Sequence, residues 1–105
     1  MNDKYTAVYI RRAGLGSGAD ILTQVFDVMN HAIGLSRSNI KLFVDDNSSG
    51  SMLSPQFIRM MDEVREGKID KIVMRDISRI ARNCILVEET LRLIYRYNVE
   101  VHLVV

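Results

Sequence analysis

Three short stretches of this chain carry side chains suited to a phosphate ester. Arg11 and Arg12 form the first, and Asp45, Asp46, Ser48 and Ser49 form the second. The third is Arg75-Asp76-Ile77-Ser78-Arg79-Ile80-Ala81-Arg82-Asn83. Of the 14 basic residues 10 are arginine, and five of these fall in the first and third stretches. A planar guanidinium grips phosphate or carboxylate with two parallel donors, whereas lysine serves as a solvated point charge. A phosphodiester under attack builds charge on its non-bridging oxygens, and clustered arginines are suited to hold that charge. The plainer alternative is that each arginine pairs with a nearby carboxylate such as Asp45, Asp46 or Asp76, in pairs that contribute little.

The elements between these stretches bring them to one place. Residues 5–10 are β-branched and aromatic and read as a buried strand. Arg11 to Gly18, with three glycines, reads as a loop. Asp20 is the expected N-cap of a helix carrying Ile21, Leu22, Val25, Phe26, Val28, Met29 and Ile33, with Gly34 as its C-cap. A second strand covers 40–44, and 45–51 is a polar loop. Ser54-Pro55 reads as a cap followed by proline at the first helical position, starting a helix that buries Phe57, Ile58, Met61 and Val64 and stops at Gly67. A third strand spans 69–74. A third helix runs from Asn83 or Cys84 to Asn98 with Ile85, Leu86, Leu91 and Ile94 inward, and residues 99–105 form a fourth strand. Cys84 is expected as a small buried hydrophobe, His102 as a packed or edge residue, and the methionines at 60, 61 and 74 as core filler.

This alternation predicts an α/β fold of three layers, a mostly parallel sheet of about four strands with helices on both faces. Ligands in such sheets meet the loops at the carboxyl ends of the strands. All three stretches follow strands, so the five arginines and the serines are expected on that edge. Arg79 and Arg82, three apart, share a face if helix begins there.

The composition sets bounds. A length of 105 residues suits one domain with one core, and 48% apolar with 26% charged residues is ordinary for a globular chain. No run is long and apolar enough for a membrane span, and the polar start is unlike a signal peptide. A single cysteine cannot build a disulfide framework and suits a cytoplasmic setting. His31, His102 and Cys84 lack metal-ligand spacing. A net charge of +1 does not itself argue for or against nucleic acid.

Tyr9-Ile10-Arg11-Arg12-Ala13, Asp46-Asn47-Ser48-Ser49-Gly50 and Asp76-Ile77-Ser78-Arg79-Ile80-Ala81-Arg82-Asn83 together resemble the three signature blocks of the serine site-specific recombinases, the resolvase–invertase family. Gln24 on the first helix and Glu66-Gly67-Lys68-Ile69-Asp70 before the third strand fit as well, and the resemblance covers essentially the whole chain. It implies DNA as partner, strand cleavage and exchange through a covalent phosphoserine, no metal or other cofactor, and dimers or tetramers of the full-length protein. It implies active-site roles for Arg11, Arg79 and Arg82, pocket-shaping roles for Asp46, Ser49, Gln24 and Ser78, and DNA contacts for Arg12 and Arg75. The chain is then a catalytic-type domain, 1–105, cut from a longer protein.

Three departures stand out. Ala13 occupies the nucleophile position and has no hydroxyl with which to attack. Ser54 stands where many members have an arginine. Ser78 stands where small resolvases have aspartate before arginine, a variant also found among larger members. The first two point to an impaired site. A non-catalytic regulatory or assembly module of the same fold is the alternative. Gly14-Leu15-Gly16-Ser17-Gly18-Ala19 also matches a dinucleotide fingerprint, but it is separated from the strand and lacks an acid at the usual distance. The Asp45-Asp46 pair suggests a phospho-receiver, but follows the wrong strand.

Overall fold

The computed structural model describes residues 4–12, 18–35, 39–46 and 52–104. Its elements are β1 (Tyr5–Arg12), α1 (Gly18–Leu35), β2 (Ile40–Asp46), α2 (Pro55–Arg65), β3 (Ile69–Met74), a 3-10 turn (Ile77–Arg79), α3 (Cys84–Arg96) and β4 (Glu100–Leu103). The four strands form one parallel sheet in the order β2-β1-β3-β4. Apolar runs unbroken by alternation make such strands because both faces are buried. The order reverses between β1 and β3, so the crevice beyond their carboxyl ends is the natural ligand position of this topology.

Side chains alternate along β1 and divide the core in two. Val8 and Ile10, with Val73, meet Val28 and Ala32 of α1. Ala7 and Tyr9 point the other way, with Ile72 and Met74, toward Phe57, Met60, Met61 and Val64 of α2 and Ile94 of α3. Thus α1 covers one face and α2 with α3 the other, the three layers expected from the sequence. The three core methionines are all buried. Gly67 closes α2 at φ 75°, and Asn98 follows α3 at φ 60°, a left-handed conformation that asparagine tolerates better than most residues.

Several local expectations are corrected. Arg11 and Arg12 belong to β1, and Asp45 and Asp46 to β2, so both strands run further than their apolar cores and pair Arg11 with Asp45 and Arg12 with Asp46. α1 begins at Gly18, which places Asp20 inside its first turn, and it continues through Gly34 to Leu35. Arg79 lies in the 3-10 turn while Arg82 lies beyond it and before α3, so no helix presents the two on one face. α3 ends at Arg96 and β4 at Leu103. Ile58 and Ile85 are exposed rather than inward, Cys84 is exposed rather than buried, and Leu22, Phe26 and Ile33 of α1 are exposed as well. His102 lies on the edge strand β4, with its Nε2 2.9 Å from Glu100. None of the described helices is long and apolar enough to cross a membrane.

Candidate active site

Arg11 is the last inward residue of β1 on the α2–α3 side, two positions beyond Tyr9 and therefore on the same face. It is only 5% exposed. Its Nε donates to the Arg79 carbonyl at 2.9 Å and its Nη2 to the Ser78 carbonyl at 2.7 Å. In return Arg79 Nη1 donates to the Arg11 carbonyl at 3.3 Å. The guanidinium of Arg11 thus ties the end of β1 to the turn after β3, across the crevice where the strand order reverses. Arg79 Nε lies 3.8 Å from Asp76 Oδ2, and it is buried without a hydrogen-bond partner.

Asp76 organises that turn. Its Oδ1 accepts the Ser78 backbone N–H at 3.0 Å and the Ser78 hydroxyl as well. The family variation at Ser78 is therefore accommodated by a cap within the turn itself. Asn83 caps α3 in the same way, accepting from the N–H groups of Ile85 and Leu86. Arg82, between these two caps, is exposed and lines an apolar groove along α3 together with Ser78. Arg75 is also exposed, and neither it nor Arg82 has an ion pair among the described residues.

The other sheet face holds a separate pair. Arg12 reaches Asp46 Oδ1 at 2.8 Å through both Nε and Nη2. Alternation along β1 and β2 places this pair on the α1 side, away from Arg11 and Arg79. Gln24 of α1 is 5% exposed, and its Oε1 has no hydrogen-bond partner among the described residues. The structure therefore brings Arg11, Ser78 and Arg79 together, while Arg82 shares only the α3 groove with Ser78. It puts Arg12 and Asp46 on the opposite face. Ala13 and Ser49 lie outside the described residues, as do Ser17 and Ser48.

A buried polar cluster supports the Arg11 side. Tyr9 donates to Asp45 Oδ2 at 2.8 Å. Asp45, 6% exposed, also accepts the N–H groups of Gln56 and Phe57 at 3.0 Å each, and so caps α2. The expected cap is corrected here. Ser54 stands at the N-cap position but makes no side-chain cap bond, because a carboxylate from β2 already occupies the helix end. Ser54 is 2% exposed, and its side chain hydrogen-bonds Tyr9 instead. Burial, and then the Asp45 carboxylate, push the Tyr9 phenol well above its ordinary pKa, so it remains a proton donor across the working pH range. Sequence reading assigned no role to Tyr9 or to Asp45 as a cap. The one available signal was the Tyr-x-Arg spacing, which puts both side chains on one strand face. Among the described residues, no group of His, Cys, Asp and Glu clusters closely enough to hold a metal ion.

The sequence pattern of the family described as "Resolvase, N terminal domain" matches residues 6–105. This chain belongs to that family. Solved structures agree with the assignment. The resolvase domain superposes on the catalytic domain of ISC1926 TnpA, an IS607-like serine recombinase, with a TM-score of 0.82 at 16% identity, over 95% of this chain and 70% of that one. For the N-terminal catalytic domain of TP901-1 integrase the TM-score is 0.78 at 16% identity, over 95% and 77%. A resolvase-family site-specific recombinase from Streptococcus pneumoniae gives 0.76 at 26% identity, over 96% and 72%. No curated protein matches the resolvase domain significantly.

Proposed function

We propose that this domain serves site-specific DNA recombination, holding a DNA phosphate with Arg11, Arg79 and Arg82 while its own strand cleavage is silenced at position 13. Site-specific recombination is the function of the family to which the chain belongs. The observation that carries the reading is the bonding around Arg11. Two donors of one guanidinium fix the turn bearing Ser78 and Arg79 onto the end of β1, so the first and third signature blocks meet at one point. Arg75, and on the α1 side Arg12 paired with Asp46, are the cations that flank this edge. Asp46, Gln24, Ser49 and Ser78 shape the surroundings. In this reading residues 1–105 are the catalytic-type domain of a longer, cytoplasmic protein that dimerises or tetramerises on DNA.

The chemistry stops at Ala13. A methyl group cannot attack phosphorus, and the nearest serine in sequence, Ser17, lies among glycines that would hold an attacking oxygen poorly.

A second reading, an assembly module working beside an active copy, gains support from Ser54. An arginine at that position, as many relatives have, would start from a site 2% exposed and already bonded to Tyr9. Accommodating it would disturb the Tyr9–Asp45 cap of α2, so the second departure is built into the core.

A nicked suicide duplex, resolved on denaturing gels, tests both readings. The unmodified domain, Ala13→Ser, and Ala13→Ser with Ser54→Arg are compared, each with a DNA-binding domain attached. No covalent adduct is expected from the unmodified protein and none at normal yield from either variant. An adduct mapped to Ser17 would contradict the silenced-site reading, and full activity from Ala13→Ser alone would show that Ser54 is harmless and overturn the second reading.

A further inference from the structure

The turn after β3 is held from both sides. The carbonyls of Ser78 and Arg79 are fixed by the Arg11 guanidinium. On the other side Asp76 caps the turn, its Oδ1 accepting the Ser78 N–H at 3.0 Å and the Ser78 hydroxyl as well. The Arg79 N–H closes the turn on the Asp76 carbonyl at 3.2 Å. With the backbone pinned in this way, the Asp76 carboxylate turns toward whichever side-chain donor holds it more firmly.

Arg79 competes for that carboxylate. Its Nη1 donates to the Arg11 carbonyl at 3.3 Å, but its Nε is buried and has no hydrogen-bond partner. Asp76 Oδ2 lies 3.8 Å from that Nε, near enough for an ion pair and too far for a hydrogen bond. A guanidinium beside a carboxylate ordinarily closes to about 2.7–2.9 Å, because a charge-assisted hydrogen bond is the stronger kind. Leaving a buried donor unpaired is itself unfavourable. Closure here would turn the carboxylate away from Ser78 and break its bond to the hydroxyl. The two oxygens are thus divided, one serving the turn and the other standing off the arginine. The Arg79 side chain is 25% exposed, so charge that its neighbour only partly offsets remains accessible.

We infer, resting on the reading of Arg79 as a phosphate-holding residue, that Ser78 positions it: the Ser78 hydroxyl holds the Asp76 carboxylate on the turn and so keeps the Arg79 guanidinium open to a DNA phosphate. Without the hydroxyl, Oδ2 moves onto the Nε–H, and an incoming phosphate must compete with it. Without the carboxylate charge, the hydroxyl has nothing to hold back. Ser78 and Asp76 therefore act as one device, and the effects of replacing them should not add.

The isotopically labelled chain is compared with Ser78→Ala, Asp76→Asn, the double variant and Arg79→Ala. Asparagine keeps an oxygen to cap the turn and alanine keeps the backbone N–H, so the cap survives in each. Exchange of the Arg79 Nε–H with water is read without DNA, its signal assigned by its loss in Arg79→Ala. Binding of a short duplex is read as salt is varied. Ser78→Ala is expected to slow the Nε–H exchange, as the donor gains Asp76, and to weaken DNA binding about fivefold, the scale of one partly exposed ion pair. In the Asp76→Asn background the same change should do neither. A Ser78 that merely shapes the turn would weaken binding equally in both backgrounds and leave the Nε–H exchange unmoved, and either result would overturn the inference alone. Arg79→Ala should lower the slope of log K against log salt by about 0.9. An unchanged slope would overturn the phosphate reading of Arg79, and the inference with it.

Discussion

The two edges of the sheet hold α2 by the same device and differ in what remains. Tyr5 and Tyr9 lie four residues apart on one face of β1, one near each end of α2. At the amino edge, Tyr5 donates to Glu63 in the last turns of α2. Lys41 spans both Glu63 oxygens at 3.0 and 2.9 Å, and its Nζ lies over the rings of Tyr5 and Phe43. At the carboxyl edge, Tyr9 donates to Asp45, which caps the start of the same helix. The amino edge closes on itself, since each charge has its opposite. The carboxyl edge gathers Arg11, Arg12, Arg75, Arg79 and Arg82 against Asp45, Asp46 and Asp76, and Asp45 is already used on α2. Holding the fold explains the first set of charges. It does not explain the cations left over in the second.

The largest effect is expected from the shared device. Asp45→Ala removes a helix cap and takes the carboxylate acceptor from the buried Tyr9 hydroxyl, at a combined cost of about 2–4 kcal/mol. Asp45→Asn keeps a capping oxygen and should cost clearly less. Urea titration of the three proteins measures both. An Asp45→Ala protein as stable as the parent would show that Tyr9 and α2 find other partners.

Glu63→Gln breaks the amino-edge pairing where Lys41 is already 45% exposed. The lysine can turn to water, so the expected loss is roughly 1 kcal/mol, with no change in DNA affinity. A weakened DNA affinity in this variant would blur the distinction between the edges.

The smallest effect on stability is expected at Arg82. It is exposed, and Arg82→Ala should change stability by no more than about 0.5 kcal/mol. DNA binding should nevertheless lose close to one phosphate contact, seen as a decrease of about 0.9 in the slope of log K against log salt. An unchanged slope would remove Arg82 from the binding edge.

Particular residues show how far sequence could go. Strand β3 and the first turn of α2 were legible because their signals are local, an apolar run in one case and Pro55 in the other. The ends of β1 and β2 were not. Arg11, Arg12, Asp45 and Asp46 read as loop because charge usually marks solvent, yet here they pair in register at the strand ends. Ser54 looked like a cap because the local pattern fits one, while the actual cap comes from Asp45 across a loop, a contact no local pattern encodes. Ile58, Ile85 and Cys84 were expected inside because their types favour it, but apolar identity does not require burial. Of the candidate site, the meeting of the first and third blocks was legible in their placement after β1 and β3. That Arg11 holds the third block through backbone carbonyls was not, since a carbonyl has no residue signature.

Amide chemical shifts of the isotopically labelled chain, titrated with a short DNA duplex at low salt, test the difference between the edges most directly. Shifts are expected at Arg11, Arg12 and residues 75–82, weakening together as salt rises, with Tyr5, Lys41 and Glu63 unmoved. Shifts centred on Tyr5, Lys41 and Glu63, or none at Arg11 and Arg79, would contradict it.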